Sequence, residues 1–293
     1  MSFKVLITGS AAGFGRLIAS RLLDAGHTVV ATMREPDTRN SEAATALRDA
    51  GARIVELDVT DDRSVDSGVA RALDEVGALD VVINNAGVGS NGLLETFTSA
   101  DWQKSFDVNV FGVHRVNRAV LPAMRAQGSG LLVMISSVVG RMALPFFGPY
   151  NAAKFAVEGL AETYRSELSV LGIETCVVEP GAFPTHFIDG LMQSSDRSRD
   201  AGYGDMINAP RNLVATFEDV MASNPAQDPR YVAEAIANLL DIPVGRRPFR
   251  TVVDNLGMAD AVTPFNESAE QMTGAIYGAF GMSNLLEINA PSK

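Results

Sequence analysis

The segment "YNAAK" places Tyr150 and Lys154 four residues apart in a helical pattern, so a phenol and an ammonium share one helix face. A free phenol, with a pKa of about 10, exchanges its proton poorly at neutral pH, and a nearby ammonium favours the phenolate. Such a pair can give a proton to the alkoxide that forms when a ketone receives a hydride, or take one from an alcohol. Ser137, at the end of the apolar run "LLVMISS", can hydrogen-bond the same oxygen and stabilise its developing charge. Asn109, in "VNVFG", is a polar amide inside a long helical pattern. Taken singly, each has an ordinary reading: an i, i+4 surface pair, a strand-end turn, a buried amide that interrupts a helix.

Hydride chemistry needs a carrier, and the first turn of the chain can hold one. "TGSAAGFG" follows a strand-like run and opens a helix, with Gly9, Gly13 and Gly15 spaced G-x-x-x-G-x-G around Ser10 and Phe14. Glycines there let the backbone approach a pyrophosphate, which rests on the unpaired N–H groups of the helix N-terminus. At the end of the second strand, where an NAD-selective site places an acid, "ATMREP" offers Arg34. A cation there suits a 2′-phosphate and favours NADP(H) over NAD(H), although a solvated loop arginine has the same sequence and Glu35 could neutralise it. Asp58 and Val59 in "LDVTD" stand at the mouth of the third strand, with the acid in reach of an adenine amine. Asn85, Ala86 and Gly87 in "NNAG" end the fourth, two of them small enough to lie against a cofactor.

The elements that must carry these residues follow a βαβ rhythm. Strand-like runs fall at 4–8, 28–33, 53–59, 80–86, 131–137, 174–180 and 250–255. They are apolar throughout, which predicts an α/β fold with a doubly wound parallel sheet covered by helices on both faces. Two long helices are expected, at 99–127 and 149–171. Between 182 and 230 the rhythm breaks, and a substrate-binding lobe or lid is expected there, with a C-terminal tail over about 256–293.

Composition narrows the function classes. The 293 residues carry a formal charge of −11, which argues against nucleic acid or an anionic membrane as partner. Cys176 is the only cysteine, set in the apolar run "TCVVEP" as a small core residue, and His27, His114 and His186 show no metal-ligand spacing, so no metal is expected. The N-terminal residues lack a signal-peptide plan and no apolar run reaches membrane-spanning length, so a cytoplasmic protein is expected.

Together, "TGSAAGFG", Asp58, "NNAG", Asn109, Ser137, "YNAAK" and "PGAFPT", in that order along residues 8–185, resemble the short-chain dehydrogenase/reductase family. The resemblance implies one Rossmann-type domain with seven parallel strands and NAD(P)-dependent oxidation or reduction at a carbonyl or carbinol carbon. It assigns the catalytic Asn, Ser, Tyr and Lys to Asn109, Ser137, Tyr150 and Lys154, with Ser137 preferred to Ser136 by its distance from Tyr150. It gives Lys154 the nicotinamide ribose, Asn109 a relay water, and Pro180, Gly181, Phe183 and Thr185 the nicotinamide carboxamide. Phe14, with the long segment after the sixth strand, is similar to the subgroup of 17β-hydroxysteroid and retinol dehydrogenases. Ala12 departs from the basic residue that many NADP-selective members carry, which leaves the NADP argument to Arg34. The resemblance also implies that the two long helices pair between subunits, in a homodimer or homotetramer.

The residues expected around the substrate are Val139, Leu144, Phe147, Phe187 and Met192, with Met142, Phe146, Leu191 and Met206 nearby. They suit a bulky hydrophobic ketone or alcohol. Two other functions are alternatives on this family's fold: an NADP-binding redox sensor without turnover, which commonly lacks the Tyr and Lys present here, and an epimerase or dehydratase, which uses the same Tyr and Lys but usually a different glycine turn and a longer C-terminal domain.

Overall fold

The computed structural model describes residues 2–289. The strands are β1 (Lys4–Ile7), β2 (Thr28–Met33), β3 (Arg53–Glu56), β4 (Val81–Asn84), β5 (Ser90–Asn91), β6 (Gly130–Ile135), β7 (Ile173–Pro180), β8 (Met192–Gln193) and β9 (Arg250–Val253). The helices are α1 (Gly13–Asp24), α2 (Ser41–Asp49), α3 (Asp62–Val76), α4 (Ser99–Phe106), α5 (Gly112–Gln127), α6 (Gly148–Leu168), α7 (Ala209–Ser223), α8 (Arg230–Asp241) and α9 (Ala259–Ala279). Seven strands form one sheet in the order β3-β2-β1-β4-β6-β7-β9, and every pairing is parallel. The sheet is the expected Rossmann-type one.

Why the strands lack alternation is now plain. Val5 and Ile7 of β1, Val81 and Ile83 of β4 and Val133 of β6 point to one face, where they meet Ile18 and Leu22 of α1 and Ile236 and Leu240 of α8. Leu6, Val82 and Leu132, their neighbours in sequence, point to the other, against Val69 of α3, Val116 and Val120 of α5 and Val157 of α6. Both faces are buried, so both residue sets must be apolar. Cys176 belongs to the first face, and burial pushes its thiol up to about 12, the state of an inert core side chain.

Strand order reverses between β1 and β4, whose C-terminal ends lie side by side. Such a reversal opens a crevice at the strand ends, where open α/β sheets bind ligands.

One expectation about these elements needs correction. The helix expected at 99–127 is broken by a π turn at Asp107–Phe111, which separates α4 from α5. Within the stretch 182–230, α7 occupies the second half. The tail is mostly the 21-residue α9; its last residues, 290–293, lie outside the described residues.

Candidate active site

The turn after β1 is shaped by close backbone approach. Gly9 has φ +71°, and a Cβ there would sit 3.0 Å from Ala86 Cα; a Cβ on Gly15 would sit 2.3 Å from Gly9 O. The first turn of α1 is therefore seated directly on the end of β1. Its N-terminus has no side-chain cap, which leaves N–H groups free for an anion. Thr8 Oγ1 accepts from the Asn85 and Ala86 backbone N–H groups at 3.0 Å, and Asn85 Nδ2 donates to Thr8 O at 2.8 Å. These bonds tie the glycine turn to "NNAG".

A cleft of about 430 Å³ runs from this turn across the strand ends. Gly9, Gly13, Phe14, Arg34, Asp58, Val59, Asn85, Ala86, Gly87, Pro180, Gly181, Phe183 and Thr185 all border it, beside Ser137, Tyr150 and Lys154. Ser10 and Gly15 do not. The Ser10 hydroxyl turns inward to Ile7 O at 3.0 Å, and Gly15 is buried beneath Gly9, so both shape the turn from behind. At the other end Arg34 lies 4.0 Å from Asp58 and makes no pair with Glu35. Asp58 also accepts from the Thr60 N–H and hydroxyl at 2.9 and 2.8 Å. Glu35 adopts φ +48° and Asn40 Nδ2 donates to Arg34 O at 2.6 Å, which folds the loop back and brings Arg39 to the cleft as a second cation.

Pro149 opens α6, and Ser90 Oγ accepts from the Tyr150 N–H at 3.1 Å, fixing the first turn. Lys154 Nζ donates to Ile135 O at 2.7 Å and lies 5.5 Å from the Tyr150 ring centre. Ser137 Oγ donates to Pro180 O at 3.2 Å and accepts from Val139 N–H at 3.3 Å. Burial raises the Tyr150 phenol well above its usual range, with Ser137 a smaller opposing influence. Burial also pushes Lys154 down to about 8, against the pull of Glu158. The charge attraction expected from the sequence does not dominate, because desolvation of each charged form is larger.

Asn109 lies in the π turn, fully buried. Its Oδ1 accepts from Val88 N–H at 3.1 Å, and its Nδ2 donates to Val88 O and Ser105 O, both at 2.9 Å. Both amide protons are taken, so the side chain could hold a water only through Oδ1. A Cβ on Gly87 would sit 2.9 Å from Asn109 Oδ1 and 3.8 Å from Lys154 Nζ, which places the amide beside the lysine.

The wall opposite the glycine turn is apolar. Val139, Leu144, Phe147, Phe187 and Leu191 border the cleft as expected from the sequence. Phe187 packs on Tyr150 at 5.2 Å between ring centres. Met192 does not border it: its backbone pairs with Ser90 in the β5–β8 ribbon, and Met192 N–H donates to Gly89 O at 3.0 Å. Met142, Phe146 and Met206 also lie off the cleft. In their place stand Val214, Phe217 and Met221 of α7, with Met258 just before α9. Phe217 meets Phe147 at 6.2 Å between ring centres. The i, i+3, i+7 spacing of the α7 residues was the available signal, hidden by the polar stretch before it.

The residues that hold this cleft fit a nicotinamide dinucleotide: an uncapped helix N-terminus for pyrophosphate, a glycine floor, and Ser, Tyr and Lys at the far end. Comparisons with known proteins agree. The short chain dehydrogenase family profile matches residues 4–195. A Bacteroides thetaiotaomicron protein named 3-ketodihydrosphingosine reductase is 35% identical over 254 residues, 86% of this chain and 88% of that protein. Bovine retinol dehydrogenase 8 is 34% identical, covering 80% of this chain and 77% of that protein. A short-chain dehydrogenase structure from Streptomyces avermitilis superposes with TM-score 0.76 at 33% identity, covering 96% and 97% of the two chains. A Burkholderia phymatum short chain dehydrogenase/reductase in complex with NAD gives TM-score 0.75 at 26% identity over 92% and 95%. An actinorhodin polyketide ketoreductase with NADPH gives 0.73 at 27% over 88% and 98%. With the motifs, the sheet and the cleft in agreement with these relatives, the chain belongs to the short-chain dehydrogenase/reductase family and is an oxidoreductase that uses a nicotinamide cofactor.

Proposed function

We propose that the chain is an NADPH-dependent ketone reductase, or in reverse a secondary alcohol dehydrogenase, for a bulky hydrophobic substrate. The observation that carries this reading is one cleft bordered by Tyr150, Ser137 and Lys154 at one end and by Phe147, Phe187, Phe217 and Met221 on its wall. The bound cofactor supplies the hydride. Tyr150, kept protonated at neutral pH by burial, is the general acid that meets the developing alkoxide. Ser137 can turn its hydroxyl from Pro180 O toward the same oxygen. Lys154 holds a positive charge behind the phenol, and Asn109 fixes the π turn beside it. NADP(H) over NAD(H) is supported by Arg34 and Arg39, two cations at the adenosine end.

The test is consumption of NADPH by the purified protein with a panel of aryl and cyclic ketones, 3-ketodihydrosphingosine included, and retinol in the oxidative direction. Ketone-dependent loss of cofactor absorbance is expected. Tight NADPH binding without turnover of any substrate would replace the reductase with a redox sensor. We also propose a homodimer or homotetramer built on α5 and α6, near which Phe111 and Phe155 are exposed.

A further inference from the structure

Five charged residues border no part of the cleft, yet they join the elements that carry Lys154 and Ser137. Glu158, one helical turn after Lys154, is buried. Arg250 of β9 donates from Nε to Glu158 Oε2 at 2.9 Å, approaches Glu179 Oε1 at 3.6 Å and reaches Glu162 with Nη2. Arg141, in the turn after β6, lies 4.0 Å from Glu179, and Asn266 of α9 donates to Glu179 Oε2 at 2.5 Å. Glu179 directly precedes Pro180, whose carbonyl accepts the Ser137 hydroxyl. Gly140 brings the parts together. A Cβ there would sit 2.7 Å from Ser136 Oγ, 3.1 Å from Glu158 Cγ and 3.2 Å from Lys154 O, so this turn rests on α6 between lysine and glutamate.

Buried ion pairs stabilise a fold weakly, because desolvation offsets most of the attraction. The placement of this cluster points to a different use. We propose that Glu158 is a positioning residue for Lys154: clamped by Arg250, its carboxylate keeps the buried lysine cationic and ties its helix to the Ser137 strand end. This rests on the reductase reading of the cleft. Burial drives Lys154 down, and Glu158 is the one charge that opposes the drive. The other charges around the pair are Glu162 on the same helix, Arg141 from the turn after β6, Glu179 from β7 and Arg250 from β9. From α9 comes only the neutral Asn266 amide. Burial and the proximity of Glu158 raise the Glu179 carboxyl, so Glu179 is a poor substitute for the missing anion. Without Glu158 the two arginines dominate, and Lys154 loses its proton at lower pH.

Glu158→Gln keeps the volume and removes the charge. The chain has four lysines, so isotope-labelled lysine side chains give a spectrum simple enough to titrate Lys154 by NMR. Its midpoint in Glu158→Gln is expected to fall by about one pH unit or more. The alkaline limb of kcat/KM for ketone reduction should move down with it, and Glu158→Asp should bring both back toward wild type. Glu162→Gln, which removes the more exposed partner of Arg250, should give a much smaller shift. An unmoved midpoint in folded Glu158→Gln, an activity loss equal at every pH, or an equal shift in Glu162→Gln overturns the proposal. Where Glu158→Gln fails to fold, Arg250→Gln tests the opposite sign: the midpoint must rise. The titration needs no turnover, so a protein that reduces no ketone would sink the reductase reading and leave this claim to the NMR result.

Discussion

At the residue scale, Tyr150 and Lys154 gain their meaning from burial. In a solvated helix they would be an ordinary surface pair; here desolvation raises the phenol, which keeps its proton more tightly, and lowers the ammonium, which gives its proton up more readily. Tyr150→Phe removes the proposed acid and nothing that the glycine turn needs. Its expected effect is a loss of kcat of about 10²- to 10⁴-fold with NADPH affinity unchanged, measured by steady-state kinetics and calorimetry. In the proposed reading Arg34 and Arg39, which border the cleft, carry the cofactor preference. Arg34→Asp is expected to raise the KM for NADPH about tenfold or more and to leave NADH unaffected or improved, since the loss is a cation facing a phosphate. Arg34→Asp with Arg39→Ala should invert the preference, and an unchanged NADPH/NADH ratio would show both to be bystanders. That Tyr150 and Lys154 share a helix face was legible in the sequence because i, i+4 spacing fixes it, whereas Ser137, on another element, was placed by resemblance. Arg39 was not legible, because its approach depends on the left-handed turn at Glu35.

At the scale of elements, three junctions position the site: the β1–α1 turn, the π turn before α5, and α7 against the cleft wall. The strands and the first junction could be read from sequence, since apolar runs and glycine spacing are local signals. The π turn could not, because what breaks the helix is the capture of the Asn109 amide by Val88, twenty-one residues away. Met192 was misplaced for a similar reason: pairing of β8 with β5 decides where its side chain goes. The β1–α1 junction has a sharp test. A methyl on Gly15 would lie 2.3 Å from Gly9 O and 2.5 Å from Asn85 Nδ2, so α1 would have to lift from the strand end. Gly15→Ala is expected to weaken NADPH binding at least tenfold, about 1.4 kcal/mol, with Tyr150 and Lys154 untouched. For α7, Phe217→Ala removes the ring that meets Phe147 and should raise the KM for bulky ketones about tenfold while sparing small ones. An equal change for both substrate sizes would place Phe217 in the core and not in the pocket.

At the scale of the whole molecule, the surface left over by the fold separates two apolar regions. Phe111 and Phe155 stand by α5 and α6, whose opposite sides pack on the sheet beneath the cleft. Phe265, Met272, Ile276 and Phe280 stand along α9, with Phe280 at 74% exposure. If subunits associate through α5 and α6, Phe155 is covered in the assembly, and a carboxylate there would be stripped of water without a partner, which is costly. In the isolated chain the same position is open, and a charge costs the fold little. Phe155→Asp is therefore expected to reduce the solution mass to that of one chain, by light scattering after gel filtration, with helical circular dichroism retained. Phe280→Asp, on the other region, should leave the mass as it is. Because α6 also carries Tyr150 and Lys154, the monomer should reduce ketones less well than the assembly. Should Phe280→Asp dissociate the protein and Phe155→Asp leave it intact, α9 and not α6 would be the surface that joins the subunits.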